Sequence, residues 1–283
     1  MKNKTINTIK KLKAENKIIS AITAYDYSTA KLLEQADVDI ILVGDSLGMV
    51  ALGYDTTHQV SMEEMLIFTR AVARGAKNSL IVADMPFLSY HANISDATLN
   101  AGKFIQAGAK AVKLEGGSNY IIEAVKHLTS VGIPTMAHLG FTPQFLHSLG
   151  GYTIQGKQLE GAKQILRDAQ KLEQAGAFAV VLEMMPEDSA KYITENLNIP
   201  TIGIGAGRYC SGQVIVSDDL LGKYSDFTPK FARKYVDLST IMLNAFKQYK
   251  QDVENKAFPD ENEIFTLVKE EEEKFKNEGI IKH

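Results

Sequence analysis

The residues best suited to chemistry are mostly acidic, and they sit where apolar runs stop. Asp45, Asp84, Glu115 and Glu183 each follow or end a short apolar segment, His138 ends another, and Lys113 lies two residues before Glu115. Each run has the length of a buried strand. Each functional group is therefore expected at a strand's C-terminal rim, where parallel α/β folds keep their chemistry. Strand side chains alternate, which puts Lys113 and Glu115 on one face. Carboxylates gathered in one place repel one another and resist ionisation unless something positive joins them. A divalent cation meets that need, and an oxygen-rich set without a cysteine cluster favours Mg²⁺ over zinc or iron. Taken singly, each acid has a plainer reading as a turn former, helix cap or solvated loop residue. Lys113 resists that reading, because an ammonium inside the run Ala109–Leu114 needs a partner. His138 is open to three readings, as a metal ligand, a substrate-orienting group or a hydrogen-bonding rim residue, of which the last is favoured. His58, His91 and His147 fall in expected loops and receive no role.

These groups need strands to hold them, and the chain alternates strands with helices. The central stretch is Val43–Val50, V-G-D-S-L-G-M-V, which follows the β-branched run Val38–Val43. Strands are predicted at Lys17–Ala24, Asp39–Val43, Ser79–Ala83, Ala109–Leu114, Pro134–Ala137, Phe178–Leu182, Pro200–Ile204 and Val214–Val216. Thr5–Lys13 is predicted as a short helix outside the main fold, and Leu47–Val60 as a loop over the site. Ser61 and Glu64 form an S-x-x-E capping box opening a helix. Thr228 and Pro229 are read as the N-cap and first position of a last helix reaching Lys250. About eight βα units over residues 18–250 fit a closed (β/α)8 TIM barrel better than an open doubly wound sheet. The expected organisation is a catalytic barrel over residues 1–250, with its N-terminal helix, and a charged helical extension over 251–283. Gly203, Gly205 and Gly207 read as a tight turn, since G-x-G-x-G is not the dinucleotide fingerprint.

Composition narrows the classes further. The 283 residues are 45% hydrophobic and 23% charged with a net charge of −3, giving no global reason to expect nucleic acid or an anionic membrane. Cys210 is the only cysteine, which excludes an intrachain disulfide and a cysteine-rich metal site. No apolar run approaches the roughly 18 residues of a membrane span, and Met1–Lys17 lacks the apolar core of a secretion signal. The expected location is cytoplasmic.

Eight collinear blocks carry a family resemblance: V-G-D-S-L-G-M-V (43–50), V-S-M-E-E-M (60–65), A-D-M-P-F-L-S-Y (83–90), A-V-K-L-E-G-G (111–117), H-L-G-F-T-P-Q (138–144), G-G-Y-T-I-Q-G-K (150–157), L-E-M-M-P (182–186) and I-G-I-G-A-G (202–207). Together they resemble the ketopantoate hydroxymethyltransferase family across residues 18–250. Ser211 and Asp218 depart from it, standing where members often have Asp and His. The resemblance implies a (β/α)8 barrel that moves a one-carbon unit from 5,10-methylenetetrahydrofolate, as co-substrate, to 3-methyl-2-oxobutanoate. It implies Mg²⁺ held by Asp45 and Asp84, with Glu115 direct or through water. It implies a 2-oxo acid bound around Asp45, Ser46, Asp84 and Lys113, and Glu183 as proton acceptor. It also implies a homo-oligomer, often a decamer. Two rival readings remain open at this point: a folate-independent Mg²⁺-dependent lyase or aldolase on a 2-oxo acid, and a non-catalytic barrel binding the same ligands.

Overall fold

The apolar runs become eight strands: β1 (Ile19–Thr23), β2 (Ile40–Val43), β3 (Leu80–Asp84), β4 (Ala111–Glu115), β5 (Thr135–Gly140), β6 (Ala179–Glu183), β7 (Thr201–Ile204) and β8 (Gly212–Ile215). The computed structural model describes residues 3–224 and 226–281. Each strand pairs in parallel with the next, and β8 returns to β1, so the sheet is a closed (β/α)8 barrel.

Alternation along the strands builds two apolar layers. Ile40, Leu80, Val82, Met136, Val181 and Ile202 fill the barrel's interior cluster. Ile41, Val43, Ile81, Val112 and Leu114 belong to the second cluster, shared with the surrounding helices. With both faces covered, a strand must be apolar at successive positions, which is why these segments read as unbroken runs. At the closing seam Ile19 pairs with Gly212. A Cβ on Gly212 would lie 2.5 Å from the Ile19 carbonyl oxygen, so a side chain is excluded there.

The helices are α1 (Ile6–Ala14), α2 (Tyr27–Gln35), α3 (Leu47–Val50), α4 (Met62–Gly75), α5 (Ile94–Ala107), α6 (Asn119–Ser130), α7 (Leu159–Gln174), α8 (Glu187–Glu195) and α9 (Ser217–Leu221). The capping box predicted at α4 is formed in both directions by Ser61 and Glu64. The loop expected over 47–60 contains α3 and a single 3₁₀ turn at Thr57–Gln59. Among the described residues, no helix is long and apolar enough to cross a membrane.

Two sequence expectations change. Helix α1 does not lie outside the fold: Ile9 is fully buried in the interior cluster, and Lys13 Nζ donates to the carbonyls of Leu197 and Ile199, each at 2.7 Å. The helix therefore plugs the barrel's N-terminal end. The last helix does not start at Pro229. That stretch is tied to the barrel as irregular chain, with Tyr235 N–H donating to Leu220 O at 2.8 Å and the Phe231 ring seated against Gly205. Contacts divide the chain into two compact units, Met1–Val236 and Asp237–His283. The second unit holds α10 (Leu238–Glu254), capped by the Asp237 side chain, and α11 (Lys269–Asn277).

Candidate active site

Strand register makes neighbours of the polar residues at the barrel's C-terminal mouth. Asp84 on β3 pairs with Lys113 on β4, Glu115 on β4 with His138 on β5, and Gly140 on β5 with Glu183 on β6. Lys113 Nζ stands 3.1 Å from Asp84 Oδ2, 3.7 Å from Glu115 Oε1 and 3.2 Å from His138 Nδ1. Asp45, just beyond β2, is fixed through its own backbone, whose N–H donates to Asp84 Oδ2 at 3.1 Å. His138 reaches two acids: Nδ1 lies 3.3 Å from Glu115 Oε1, and Nε2 lies 3.2 Å from Glu183 Oε2. All six sequence-selected side chains thus share one mouth. Within the rim the His138 ring has a hydrogen bond between Nδ1 and Lys113 Nζ at 3.2 Å.

Glu183 differs from the others. Its side chain is 14% exposed, against 2% for Glu115, so it faces whatever enters the mouth. Gly140 sets its position. That residue has φ +90°, and a Cβ there would meet the Glu183 carbonyl oxygen at 2.3 Å. The neighbouring Phe141 N–H donates to the same carbonyl at 2.9 Å. Ser46 begins α3, and its hydroxyl is 2.9 Å from the Tyr25 hydroxyl.

The charges are strongly interdependent. Burial, followed by the Asp84 and Glu115 carboxylates, pushes the Asp45 carboxyl well above the usual range. Burial likewise raises Asp84, although Lys113 opposes it. Glu115 is also buried, yet it is held low by His138 and then Lys113 and the Gln144 N–H. Burial works against the Lys113 ammonium, but Asp84, Glu115 and Asp45 outweigh it and raise its pKa. His138 is raised to about 9: burial and Lys113 oppose its charge, and Glu115 and Glu183 prevail.

The site's residues fit a divalent cation. Asp84 Oδ1 and Glu115 Oε1 are buried acceptors with no aligned hydrogen-bond donor. The ionic contact of Glu115 with His138 is close in distance but off-axis for a hydrogen bond, and so is that of His138 Nε2 with Glu183. Four acids face one lysine and one histidine, which leaves negative charge to be met. Among the described residues, no three His, Cys, Asp or Glu side chains form a ready-made metal cage.

Two uncharged residues at the centre were not selected from the sequence. Gln144 donates through Nε2 to Asp45 Oδ2 and to the Met85 carbonyl, both at 2.9 Å, and its backbone N–H reaches Glu115 Oε2 at 2.9 Å. The Tyr90 hydroxyl donates to Gln144 Oε1 at 2.7 Å and accepts from the Glu115 N–H at 3.1 Å. Both residues end blocks that carried the resemblance, but a neutral side chain in a loop has neither charge nor period to mark it. The unassigned histidines come near this turn: His58 Nε2 lies 2.9 Å from the Gln144 carbonyl and its ring stacks on His147 at 4.9 Å. Asp218, one of the departures, is buried and pairs with Lys223 at 3.2 Å.

Known proteins share both this fold and this sequence. Two solved barrels resemble the structure in fold alone. Phosphonopyruvate hydrolase has a TM-score of 0.61 at 14% identity, covering 98% of this chain and 96% of that one. 2,3-Dimethylmalate lyase has a TM-score of 0.57 at 13% identity, covering 97% and 98%. Far closer in sequence are proteins named 3-methyl-2-oxobutanoate hydroxymethyltransferase. That of Syntrophus aciditrophicus is 52% identical over 262 residues, 92% of this chain and 96% of its own. That of Syntrophomonas wolfei is 49% identical over 267 residues, 94% and 96%. The family model described as ketopantoate hydroxymethyltransferase matches residues 3–261. With half its residues shared along nearly its whole length, the chain belongs to the ketopantoate hydroxymethyltransferase family.

Proposed function

We propose that the chain transfers a hydroxymethyl group from 5,10-methylenetetrahydrofolate to 3-methyl-2-oxobutanoate, giving 2-dehydropantoate. The observation that carries this reading is the buried group Asp45, Asp84, Lys113 and Glu115, set beside the less buried Glu183, in a chain half identical to enzymes bearing that name. Asp45 and Asp84 would hold Mg²⁺, with Glu115 touching it directly or through water. When bound, the metal supplies Lewis-acid polarisation of the substrate's 2-oxo group. Lys113 and the Ser46 hydroxyl anchor the substrate's carboxylate, and Asp45 and Asp84 complete its binding site. Glu183 takes the proton from C3, a role for which a positioned base contributes about 10²–10⁴-fold. His138, in contact with both Glu183 and Glu115, keeps the base turned toward the mouth. The C3 carbon then forms a bond to the one-carbon unit, tetrahydrofolate leaves, and water supplies the hydroxyl oxygen. As assembly and location, the reading includes a homo-oligomer, with a decamer as the expected size, in the cytoplasm.

The test is exchange of the C3 proton of 3-methyl-2-oxobutanoate in D₂O, followed by NMR with Mg²⁺ present. Exchange in the wild type and its loss in Glu183→Ala are expected, with product forming only when methylenetetrahydrofolate is added. Exchange that survives in Glu183→Ala would remove that residue from its role. Product without the folate would replace the transferase by a folate-independent aldolase.

A further inference from the structure

The loop after β5 contributes no charged group to the mouth, yet Gln144 bonds it there at three points. Through Gln144 it contacts the segments that follow three different strands: Asp45 after β2, Met85 after β3 and Glu115 at the end of β4. Gln144 is 3% exposed and Tyr90 is fully buried, so none of these bonds is exchanged with bulk water.

The direction of every proton in this chain of bonds can be worked out. A backbone N–H can only donate, so the Glu115 N–H makes the Tyr90 oxygen an acceptor. The phenol's own proton is then directed to Gln144 Oε1. With its oxygen engaged, the amide can present only its two N–H bonds to Asp45 Oδ2 and the Met85 carbonyl. The amide is thereby barred from flipping, and one of Asp45's two oxygens is held by a neutral donor.

We infer that Gln144 is a positioning residue that aims the Asp45 carboxylate, and that Tyr90 acts only through it, by locking the amide's orientation. This inference rests on the proposed function, in which Asp45 binds Mg²⁺ and the 2-oxo acid. Gln144 touches neither ligand; it fixes the group that does. Partners of metal-binding side chains typically account for about 10–100-fold in affinity. A serial arrangement also has a signature that two independent packing roles lack. Once Gln144 cannot bond, removing the Tyr90 hydroxyl should change the affinity no further.

The experiment is titration calorimetry of the full chain with 3-methyl-2-oxobutanoate and Mg²⁺, in wild type, Gln144→Met, Tyr90→Phe and the double variant, with thermal melts run alongside. Gln144→Met is expected to weaken Mg²⁺-dependent binding about 10–100-fold. Tyr90→Phe should weaken it less, and the double variant should match Gln144→Met. Should Gln144→Met fail to fold, Tyr90→Phe decides alone: folded protein with weakened binding supports the relay, and unchanged binding overturns it. Additive losses in the double variant would overturn the serial arrangement, and wild-type affinity in Gln144→Met would overturn the positioning role. No binding by the wild type itself is a distinct result, which would remove the proposed function and this inference with it.

Discussion

Lys113 Nζ and Asp84 Oδ2 lie 3.1 Å apart at a point where both side chains are at most 5% exposed. The pair is a product of strand register, because Asp84 and Lys113 are partners across the β3–β4 ladder. Buried ion pairs add little net stability compared with apolar residues, but losing one partner strands the other's charge. Lys113→Met should therefore lower stability by about 3–5 kcal/mol, because Asp84 and Glu115 lose their shared cation. Urea unfolding in metal-free buffer measures this, and an unchanged midpoint would show that the acids do not depend on Lys113.

Asp84 ties two other residues of the mouth together. Its Oδ2 accepts from both Lys113 and the Asp45 N–H, and its Oδ1 has no aligned donor. Asp84→Ala is predicted to weaken Mg²⁺ and 2-oxo acid binding together by about 10²-fold or more, the equivalent of roughly 3 kcal/mol. Calorimetry reads both ligands, and normal affinity for the 2-oxo acid would contradict the assignment.

Gly140 separates a geometric requirement from a chemical one. A Cβ at that residue would be forced to within 2.3 Å of the Glu183 carbonyl, and the residue already has φ +90°. Gly140→Ala should cost about 1–3 kcal/mol through overpacking. It should also slow C3 proton exchange while leaving substrate affinity near normal, because it displaces the base and not the binding acids. Exchange at the wild-type rate in a destabilised variant would show that β6 absorbs the strain without moving Glu183.

Acid stability should respond to Glu34, far from the mouth. Its carboxylate accepts from the backbone N–H groups and side chains of Asn78 and Ser79 just before β3. Burial works against its charge, but these donors prevail and lower its pKa to about 2. A depressed carboxylate pKa adds stability that is complete above the unfolded value, about 4.5, and is lost as pH falls toward the folded one. Glu34→Ala should therefore melt lower at pH 7, by about 1–2 kcal/mol after allowance for its partial exposure. The difference from wild type should shrink below pH 4.5 and close near pH 2. A difference independent of pH would assign the effect to packing.

The barrel was legible because burial on two sides writes itself into composition. A strand such as I-I-L-V at β2 has no polar face to disguise it. The acids were legible only together: each alone reads as a turn former or helix cap, but four of them ending such runs share no structural role. Gln144 and Tyr90 offered no comparable signal, since their importance lies in which way their protons point, a property of three-dimensional neighbours. The last helix was misplaced because Thr228-Pro229 is good local chemistry for a helix start, whereas the tie from Tyr235 to Leu220 is a tertiary choice. Helix α1 was read correctly as a helix and wrongly as peripheral, because one buried isoleucine among lysines gives no hint of what covers it.

The closing seam sets a schedule for synthesis. β1 begins at Ile19 and its second neighbour begins at Gly212, 193 residues later by subtraction. The carbonyl of Ile199 that holds Lys13 is almost as distant. At about 5–20 residues per second, β1 leaves the ribosome roughly 10–40 seconds before the strand that completes its pairing. For that interval the newborn chain carries an unpaired strand edge and a helix without its seat. Residues 6–23 are thus made well before the strand and carbonyls that cover them, and a strand edge left open for that long is a template for pairing with other chains.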